Sequence, residues 1–136
     1  MNKSKNIALI AHDNMKVNLV NWAYKNKYVL KNHTLCGTES TAMLIEEKIG
    51  VNVKGYESGL MGGDQQISTC IVNGEVDFML YFWDPLTPQP HDSDIRALLR
   101  IAVLYDIPVA MNQSSADFIL NSIFINEEYE RSMNHN

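Results

Sequence analysis

Short runs rich in apolar residues recur along the chain and predict its β-strands. The clearest are residues 7–11, which read IALIA, and residues 76–82, which end in FMLYF. A continuous apolar run of this length is typical of a strand buried on both faces of a parallel sheet. Weaker runs at 34–36, 51–55 and 107–111 predict three further strands.

Between these runs, apolar residues recur every three or four positions, which is the spacing of amphipathic helices. The predicted helices are 15–28, 39–49, 64–73, 93–105 and 114–122. Strands that alternate with helices favour a parallel sheet with helices on both faces, because the crossovers are right-handed. We therefore predict one α/β domain over residues 1–136, a small doubly wound fold with a mostly parallel five-stranded sheet. Such folds bind ligands at the carboxyl ends of their strands.

Composition and charge narrow the classes of partner. The 136 residues carry a formal net charge of −5, so we expect neither nucleic acid nor an anionic membrane surface as a partner. The longest apolar run, residues 78–83, is far shorter than the roughly 20 residues of a membrane-spanning helix. Two isolated cysteines, Cys36 and Cys70, follow no disulfide or zinc-binding pattern, which predicts a reduced, cytoplasmic location.

The loop after the second predicted strand is rich in hydroxyl groups. Gly37 is followed by Thr38, Glu39, Ser40 and Thr41 at the start of a predicted helix. Free backbone N–H groups at a helix start, together with hydroxyl donors, form a site for a phosphate or a carboxylate. Helix capping is the alternative, since Thr and Ser are common N-caps. One hydroxyl is enough for a cap, so three within four residues leave both interpretations open.

The segment 58–64, SGLMGGD, contains three glycines within five positions. Glycine loses much conformational entropy on folding, so we expect this backbone to pass close to another group. The segment matches neither a dinucleotide fingerprint nor a P-loop. Asp64 stands where a helix cap would stand, and capping is the simpler interpretation of it. The alternative is that Asp64, among glycines and backbone donors, acts as a general base.

Ionisable residues follow the first predicted strand at His12, Asp13 and Lys16. A structural histidine and a solvated lysine are the simpler interpretation of this group. At the carboxyl end of a strand, however, His12 and Lys16 are also placed to contact an anionic ligand.

The proline-rich loop WDPLTPQPHD contains Asp84 and His91, and Asp94 follows it. Its prolines stiffen the backbone, so His91 is a candidate for proton transfer, with a plain surface position as the alternative. No pair of His and Asp residues has a spacing typical of metal ligands, so we expect no metal site.

Taken together, these loops resemble the methylglyoxal synthase family over nearly the whole chain. The matching stretches are IALIAHD (7–13), the Thr/Ser-rich loop 38–41, SGLMGGDQQ (58–66), FWDPLTPQPHDSD (82–94), ALLRIA (97–102) and IPVAMNQSSADF (107–118). The combination of GGDQQ with DPLxxxPHDxD is highly specific, whereas each loop alone is not. The resemblance implies a lyase that converts dihydroxyacetone phosphate to methylglyoxal and inorganic phosphate. It also implies a homohexamer, inhibited by phosphate, that uses no metal or organic cofactor.

The resemblance assigns roles to residues by motif match. Asp64 stands at the family's catalytic base and His91 at its catalytic histidine. The substrate and phosphate contacts fall on His12, Lys16, Thr38, Glu39, Ser40, Thr41, Ser58 and Gly59. The acidic positions that line the same site fall on Asp13, Asp84 and Asp94.

The chain departs from the family pattern at a few positions. Glu39 and Ser40 replace two residues of the glycine-threonine repeat usual in the second loop, and Leu60 stands where proline is usual. In the family, an arginine near the C-terminus can reach a neighbouring subunit's phosphate site. Arg131 is the candidate for that role here.

Two other classes of protein compete with the enzyme. A non-catalytic regulatory module of the same fold, binding phosphate or another anion, would keep the anion site but would need neither Asp64 nor His91. Such a module would be fused to a larger chain, so the presence of both residues in a chain of this length favours the enzyme. A flavodoxin-like flavin carrier is disfavoured because the loops lack a run of aromatic residues that would sandwich a flavin ring.

Overall fold

The structure, a computed structural model, describes residues 1–132, which form a five-stranded sheet flanked by helices. The strands are β1 (Asn6–Ala11), β2 (Thr34–Thr38), β3 (Val53–Tyr56), β4 (Phe78–Phe82) and β5 (Val109–Ala110). The α-helices are α1 (Lys16–Lys25), α2 (Lys27–Leu30), α3 (Glu39–Ile49), α4 (Gly63–Val72), α5 (Asp92–Leu104) and α6 (Gln113–Leu120). Single turns of 3₁₀-helix lie at Asp13–Met15, Gly59–Met61 and Ile123–Asn126.

All the strand pairs are parallel, and the strand order is β3-β2-β1-β4-β5. Ile7 of β1 therefore lies between Leu35 of β2 and Phe78 of β4. The chain moves outwards from β1 to β3 on one side and then starts again at β4 on the other. This order confirms the doubly wound prediction, and it puts the switch point between β1 and β4, where such folds bind their ligands.

The sheet separates two apolar cores. On one face, Ile7 and Leu9 of β1 pack with buried residues of α1, α2, α3 and α6. On the other face, Ala8 and Ile10 pack with buried residues of α4 and α5. Adjacent residues of β1 thus enter opposite cores, which explains why the strand is apolar at every position from Ile7 to Ala11.

Two elements are shorter than the apolar pattern predicts. The first helix ends near Asn26, whose side-chain amide donates to the Trp22 carbonyl at 2.9 Å and competes with the helical hydrogen bonds. The fifth strand is reduced to Val109–Ala110 because Pro108 has no N–H to donate to the ladder. Both changes lie away from the switch point. No helix within residues 1–132 has both the length and the apolar character needed to cross a membrane.

Candidate active site

A cavity of about 200 Å³ opens at the carboxyl edge of the sheet, next to the switch point between β1 and β4. Its floor is formed by the ends of β1 and β4, and its walls come from the loops after β2, β3 and β4. The predicted site residues that line it are His12, Asp13, Lys16, Thr38, Ser40, Ser58, Gly59, Asp64 and His91. Five separate segments of the chain therefore meet where the sheet topology places a ligand.

Asp64 reaches the cavity from the first turn of α4 and is fully buried. The N-cap of α4 is Gly62, at a φ of +93°, and Asp64 makes no capping hydrogen bond, so the capping interpretation is wrong. Gly63 allows this helix start, because a Cβ there would lie 1.9 Å from the Glu57 carbonyl oxygen. The glycines thus bring α4 close to the preceding loop and free the Asp64 carboxylate for the cavity.

The two oxygens of the Asp64 carboxylate have different surroundings. Oδ2 lies 3.6 Å from Nε2 of His91 and 3.5 Å from the hydroxyl of Tyr81. Oδ1 is buried and has no hydrogen-bond partner among residues 1–132. Burial raises the pKa of Asp64, although the nearby His91 opposes the shift. A desolvated carboxylate of raised pKa is a stronger proton acceptor than one in water.

His91 lies immediately before α5 and packs its ring against Gly59. A Cβ at Gly59 would lie 2.5 Å from Nε2 of His91, so any other residue at position 59 would displace the ring. This contact explains one glycine of the 58–64 segment in physical terms. Nδ1 of His91 is buried without a partner among the described residues, which leaves the ring free to hydrogen-bond a ligand.

His12, directly after β1, is buried and neutral. Its Nδ1 accepts the backbone N–H of Asp84 at 2.9 Å, so the ring proton resides on Nε2. Burial lowers the pKa of His12, and the positive charge that His91 can carry lowers it further. Asp84 therefore acts through its backbone, while its carboxylate accepts from the side chain of Asn14 and the N–H of Leu86.

Hydroxyl groups and one lysine form the opposite end of the cavity. Nζ of Lys16 contacts Oγ of Ser40 and also pairs with Asp13 at 2.7 Å, and this pairing lowers the pKa of Asp13. Thr38 is the N-cap of α3, yet its side chain makes no capping hydrogen bond. The capping interpretation is therefore wrong for Thr38, which lines the cavity together with Ser58. This end combines a cation, hydroxyl donors and a helix start, which together suit an anion.

Four predicted residues do not line the cavity. Glu39 is exposed and borders a separate depression with Glu46 and Glu57, and the hydroxyl of Thr41 is fully buried without a partner among the described residues. Asp84 lies behind His12, and Asp94 accepts a hydrogen bond from Gln65 at 3.1 Å. Their predicted roles at the site remain predictions.

Arg131 lies far from the cavity of its own chain. Its Nη1 donates to the carbonyl of Tyr105 at 3.1 Å, just beyond the C-terminus of α5 and therefore at the amino edge of the sheet. A contact between Arg131 and a neighbouring subunit's site remains a prediction.

Tyr81 lines the cavity but was not predicted as a site residue. It lies inside the apolar run FMLYF, where the pattern indicated only a buried strand. The available signal was its hydroxyl: a buried tyrosine near the end of a strand needs a hydrogen-bond partner, and the carboxyl edge is where a site was expected.

The fold and site together define a doubly wound α/β protein with a small-molecule site at its switch point. Residues 18–111 match the family model described as MGS-like domain. A curated methylglyoxal synthase of Clostridium acetobutylicum is 59% identical over 131 residues, covering 96% of this chain and 90% of that relative. Another, of Coxiella burnetii, is 50% identical over 125 residues, covering 92% and 87%. The chain belongs to the MGS-like domain family.

A solved structure agrees with the sequence comparisons. The crystal structure of methylglyoxal synthase from Elizabethkingia anophelis NUHP1 is similar to this chain with a TM-score of 0.93 at 43% identity. The similarity covers 98% of this chain and 88% of that one. It therefore extends beyond the sheet to the loops that build the cavity.

Proposed function

We propose that this protein is a lyase that converts dihydroxyacetone phosphate to methylglyoxal and inorganic phosphate. Its curated relatives are named methylglyoxal synthase, and they match over nearly the whole chain. The observation that carries the proposal is the buried Asp64, with its unpartnered Oδ1, in a cavity whose other end suits a phosphate. A carboxylate for proton abstraction and an anion site for the leaving group are the two parts that this reaction requires.

Proton abstraction is assigned to Asp64. The carboxylate removes a proton from the hydroxymethyl carbon next to the ketone, and the electron pair forms an enediolate. Because Oδ2 faces His91 and Tyr81, Oδ1 is the oxygen available for this proton. General base catalysis of this kind contributes typically ~10²–10⁴ in rate.

Stabilisation of the charge that develops on the ketone oxygen is assigned to His91. Its Nε2 lies next to the base and its ring borders the cavity, so it can donate to the carbonyl oxygen while Asp64 takes the proton. His12 borders the same cavity, and its Nε2–H is directed at the hydroxyl of Tyr81.

Phosphate leaves in the second step. Lys16, Thr38, Ser40 and Ser58 hold the phosphate so that its C–O bond stands perpendicular to the enediolate plane. In that orientation the C–O σ* orbital overlaps the π system. The C–O bond breaks and phosphate takes its electron pair. The terminal hydroxyl passes its proton to His91 as it becomes an aldehyde, and His91 supplies a proton to the oxygen of the central carbon, which becomes an enol. The resulting enol tautomerises to methylglyoxal. Orientation of this kind can supply many kcal/mol.

An assay of the purified protein with dihydroxyacetone phosphate tests the proposal. Phosphate and methylglyoxal are measured in the same samples, and equal amounts of both are expected. Activity is expected to survive dialysis against EDTA, because the proposed steps use only side chains of this chain. Binding of phosphate without turnover would instead support the regulatory module, and activity restored only by an added metal would contradict the cofactor-independent mechanism.

We further propose that residues 1–136 form one domain, that the protein assembles as a cytoplasmic homohexamer, and that inorganic phosphate inhibits it. Large apolar side chains on the surface, such as Val17, Met43 and Phe118, support an assembly. The two free thiols support a reducing compartment. Light scattering tests the assembly, and a monomer at micromolar concentration would contradict it.

A further inference from the structure

Tyr81 is a buried phenol in the middle of the sheet whose hydroxyl reaches the candidate active site. It is 1% exposed and packs in the same apolar core as Ile67 and Ile95. Its oxygen lies 3.4 Å from Nε2 of His12 and 3.5 Å from Oδ2 of Asp64. The hydroxyl is therefore the group that bridges the end of β1 and the start of α4.

The direction of these two contacts follows from the available protons. Nδ1 of His12 accepts the backbone N–H of Asp84, so Nε2 carries the ring proton and points it at the Tyr81 oxygen. The hydroxyl proton of Tyr81 is then free for Oδ2 of Asp64. Burial and the neighbouring Asp64 carboxylate raise the pKa of Tyr81, so the phenol stays protonated as a donor.

A continuous series of donors thus runs from the Asp84 backbone through His12 and Tyr81 to Asp64. Both contacts of Tyr81 are long for a hydroxyl, and such contacts at active sites shorten in the complex with substrate. On Asp64, the series ends at Oδ2 and leaves Oδ1 without a partner among the described residues.

We propose that Tyr81 is a positioning residue that orients the Asp64 carboxylate, holding Oδ2 so that Oδ1 faces the carbon acid. This inference rests on the proposed role of Asp64 as the base. The hydroxyl, and not the ring, is the part that matters, because phenylalanine residues already fill neighbouring positions 78 and 82 of the same strand. The ring itself packs against His12 edge to face at 5.4 Å between centroids.

The pH dependence of the reaction follows from the groups that face Asp64. His91 and Asp94 approach from the α5 side, Tyr81 from β4, and His12 lies behind Tyr81. Burial and Asp94 raise the pKa of Asp64, whereas His91 and the Tyr81 hydroxyl lower it. Removing the hydroxyl removes a hydrogen bond to the charged form, so the pKa of Asp64 rises further.

The test is Tyr81→Phe, measured by kcat, KM and the pH profile. We expect kcat to fall about tenfold to a hundredfold, the range for a hydrogen bond to a charged group. KM and phosphate inhibition are expected to change less than about threefold, because Tyr81 is not among the residues proposed to hold the phosphate. The acidic limb of the kcat profile is expected to move to higher pH.

Tyr56→Phe is the matched control. The Tyr56 hydroxyl is also hydrogen-bonded, to the thiol of Cys70 at 3.0 Å, but Tyr56 does not line the cavity. Both variants lose one partnered hydroxyl, so a general effect on folding would appear in both. We expect Tyr56→Phe to keep the kcat and the acidic limb of the unmodified protein.

An unchanged kcat and acidic limb in Tyr81→Phe would overturn the inference, and so would a fall in activity that comes only from a raised KM. Carbon-13 NMR titration of Asp64, assigned with Asp64→Asn, measures the same hydrogen bond without turnover. The carboxyl pKa is expected to be higher in Tyr81→Phe than in the unmodified protein, and equal values would contradict the inference. Failure of the unmodified protein to release methylglyoxal would instead refute the proposed function alone.

Discussion

A buried histidine and a half-buried one occupy opposite edges of the sheet in nearly the same local setting. His12 follows β1 at the carboxyl edge, and His33 precedes β2 at the amino edge. Each accepts a backbone N–H at Nδ1 over 2.9 Å, from Asp84 and Lys5 respectively. Burial lowers the pKa of both rings. The local hydrogen bond therefore does not distinguish a site histidine from a structural one, whereas the neighbours do.

The buried charges of the two edges differ in how well they are satisfied. At the amino edge, Nζ of Lys5 donates to the carbonyls of Asn2, Lys3 and Glu127, which tie the N-terminal segment to the chain after α6. At the carboxyl edge, Oδ1 of Asp64 has no partner among the described residues. A fully paired charge holds structure, and an unpaired buried polar atom at a cavity is held ready for a ligand.

Cavity volume favours the amino edge as the functional site, whereas the chemistry of the lining residues favours the carboxyl edge. The amino edge has a cavity of about 290 Å³, larger than the one at the carboxyl edge, and its lining includes Phe78, Ile107 and Ile125. The ammonium group of Lys5 is already committed to three carbonyls, and that of the N-terminus donates to the carbonyl of Tyr129. The smaller cavity collects the carboxylate and the histidine needed for proton transfer, so the chemistry of the lining residues identifies the site better than volume does.

The largest expected effect is on kcat, and it distinguishes Asp64, the buried aspartate at the carboxyl edge, from Asp77, the buried aspartate at the amino edge. Asp64→Asn keeps the size of the side chain but removes the proposed base, so kcat is expected to fall by ~10²–10⁴ or more. Phosphate binding is expected to be equal or tighter, because a negative charge near the anion is removed. Steady-state kinetics and calorimetric titration with phosphate measure the two quantities.

Asp77→Asn is the control at the amino edge. Oδ2 of Asp77 accepts the backbone N–H of Asn6 at 2.7 Å, and an asparagine oxygen can replace it. We expect unchanged kcat with a small loss of stability. A near-normal kcat in Asp64→Asn would end the catalytic assignment and leave the regulatory module as the better interpretation.

Phosphate is expected to stabilise the carboxyl edge before the amino edge. One phosphate bound only by the folded chain, at about 100 times its Kd, adds about 2.7 kcal/mol to the free energy of unfolding. Denaturation in phosphate and in chloride at equal ionic strength and pH measures the total. Hydrogen exchange then locates the stabilised region. Protection is expected first in the amides of residues 38–41 and 58–64. Equal stability in the two salts would contradict an anion site.

A threonine at each end of β2 gives the next comparison. Thr38 ends the strand at the cavity, and Thr34 begins it, exposed, at the amino edge. Loss of one hydrogen bond to a charged ligand in Thr38→Ala is expected to weaken phosphate binding and raise KM about tenfold, with kcat better preserved. Thr34→Ala is the control and is expected to leave both constants unchanged. Equal effects in the two variants would mean that Thr38 acts through the strand and not through the ligand.

The fold and much of the site follow from the order of residues. Continuous apolar runs identify strands buried on both faces, and parallel topology brings the loops after them to one edge, so Asp64, His91 and His12 were predicted to meet. Contacts across the chain do not follow from such patterns. Tyr81 was missed because an apolar run does not show where one hydroxyl points.

Residues of the loop 38–41 show a related limit of sequence motifs, which do not indicate which of their side chains point into the site. Consecutive residues at a helix start are turned by about 100° from one another, because a turn holds 3.6 residues. Ser40 therefore borders the cavity, while Glu39 faces solvent and Thr41 the interior. A motif places all four residues at the site, but helix geometry decides which side chains reach it.

The smallest expected effect concerns His33, the structural member of the histidine pair. Its pKa is lower in the folded chain than in the unfolded chain, where it is about 6.5. Below that pH the unfolded chain binds more protons, so the free energy of unfolding falls as the pH drops, by at most about 1.4 kcal/mol per pH unit for each such group. Asp64 acts in the opposite direction, because its pKa is raised on folding. His33→Asn, whose amide oxygen can still accept the Lys5 N–H, is expected to flatten the fall below about pH 6.5 while kcat at neutral pH stays unchanged. Urea denaturation at fixed protein concentration measures the slope, and a slope equal to that of the unmodified protein would show that His33 titrates alike in both states.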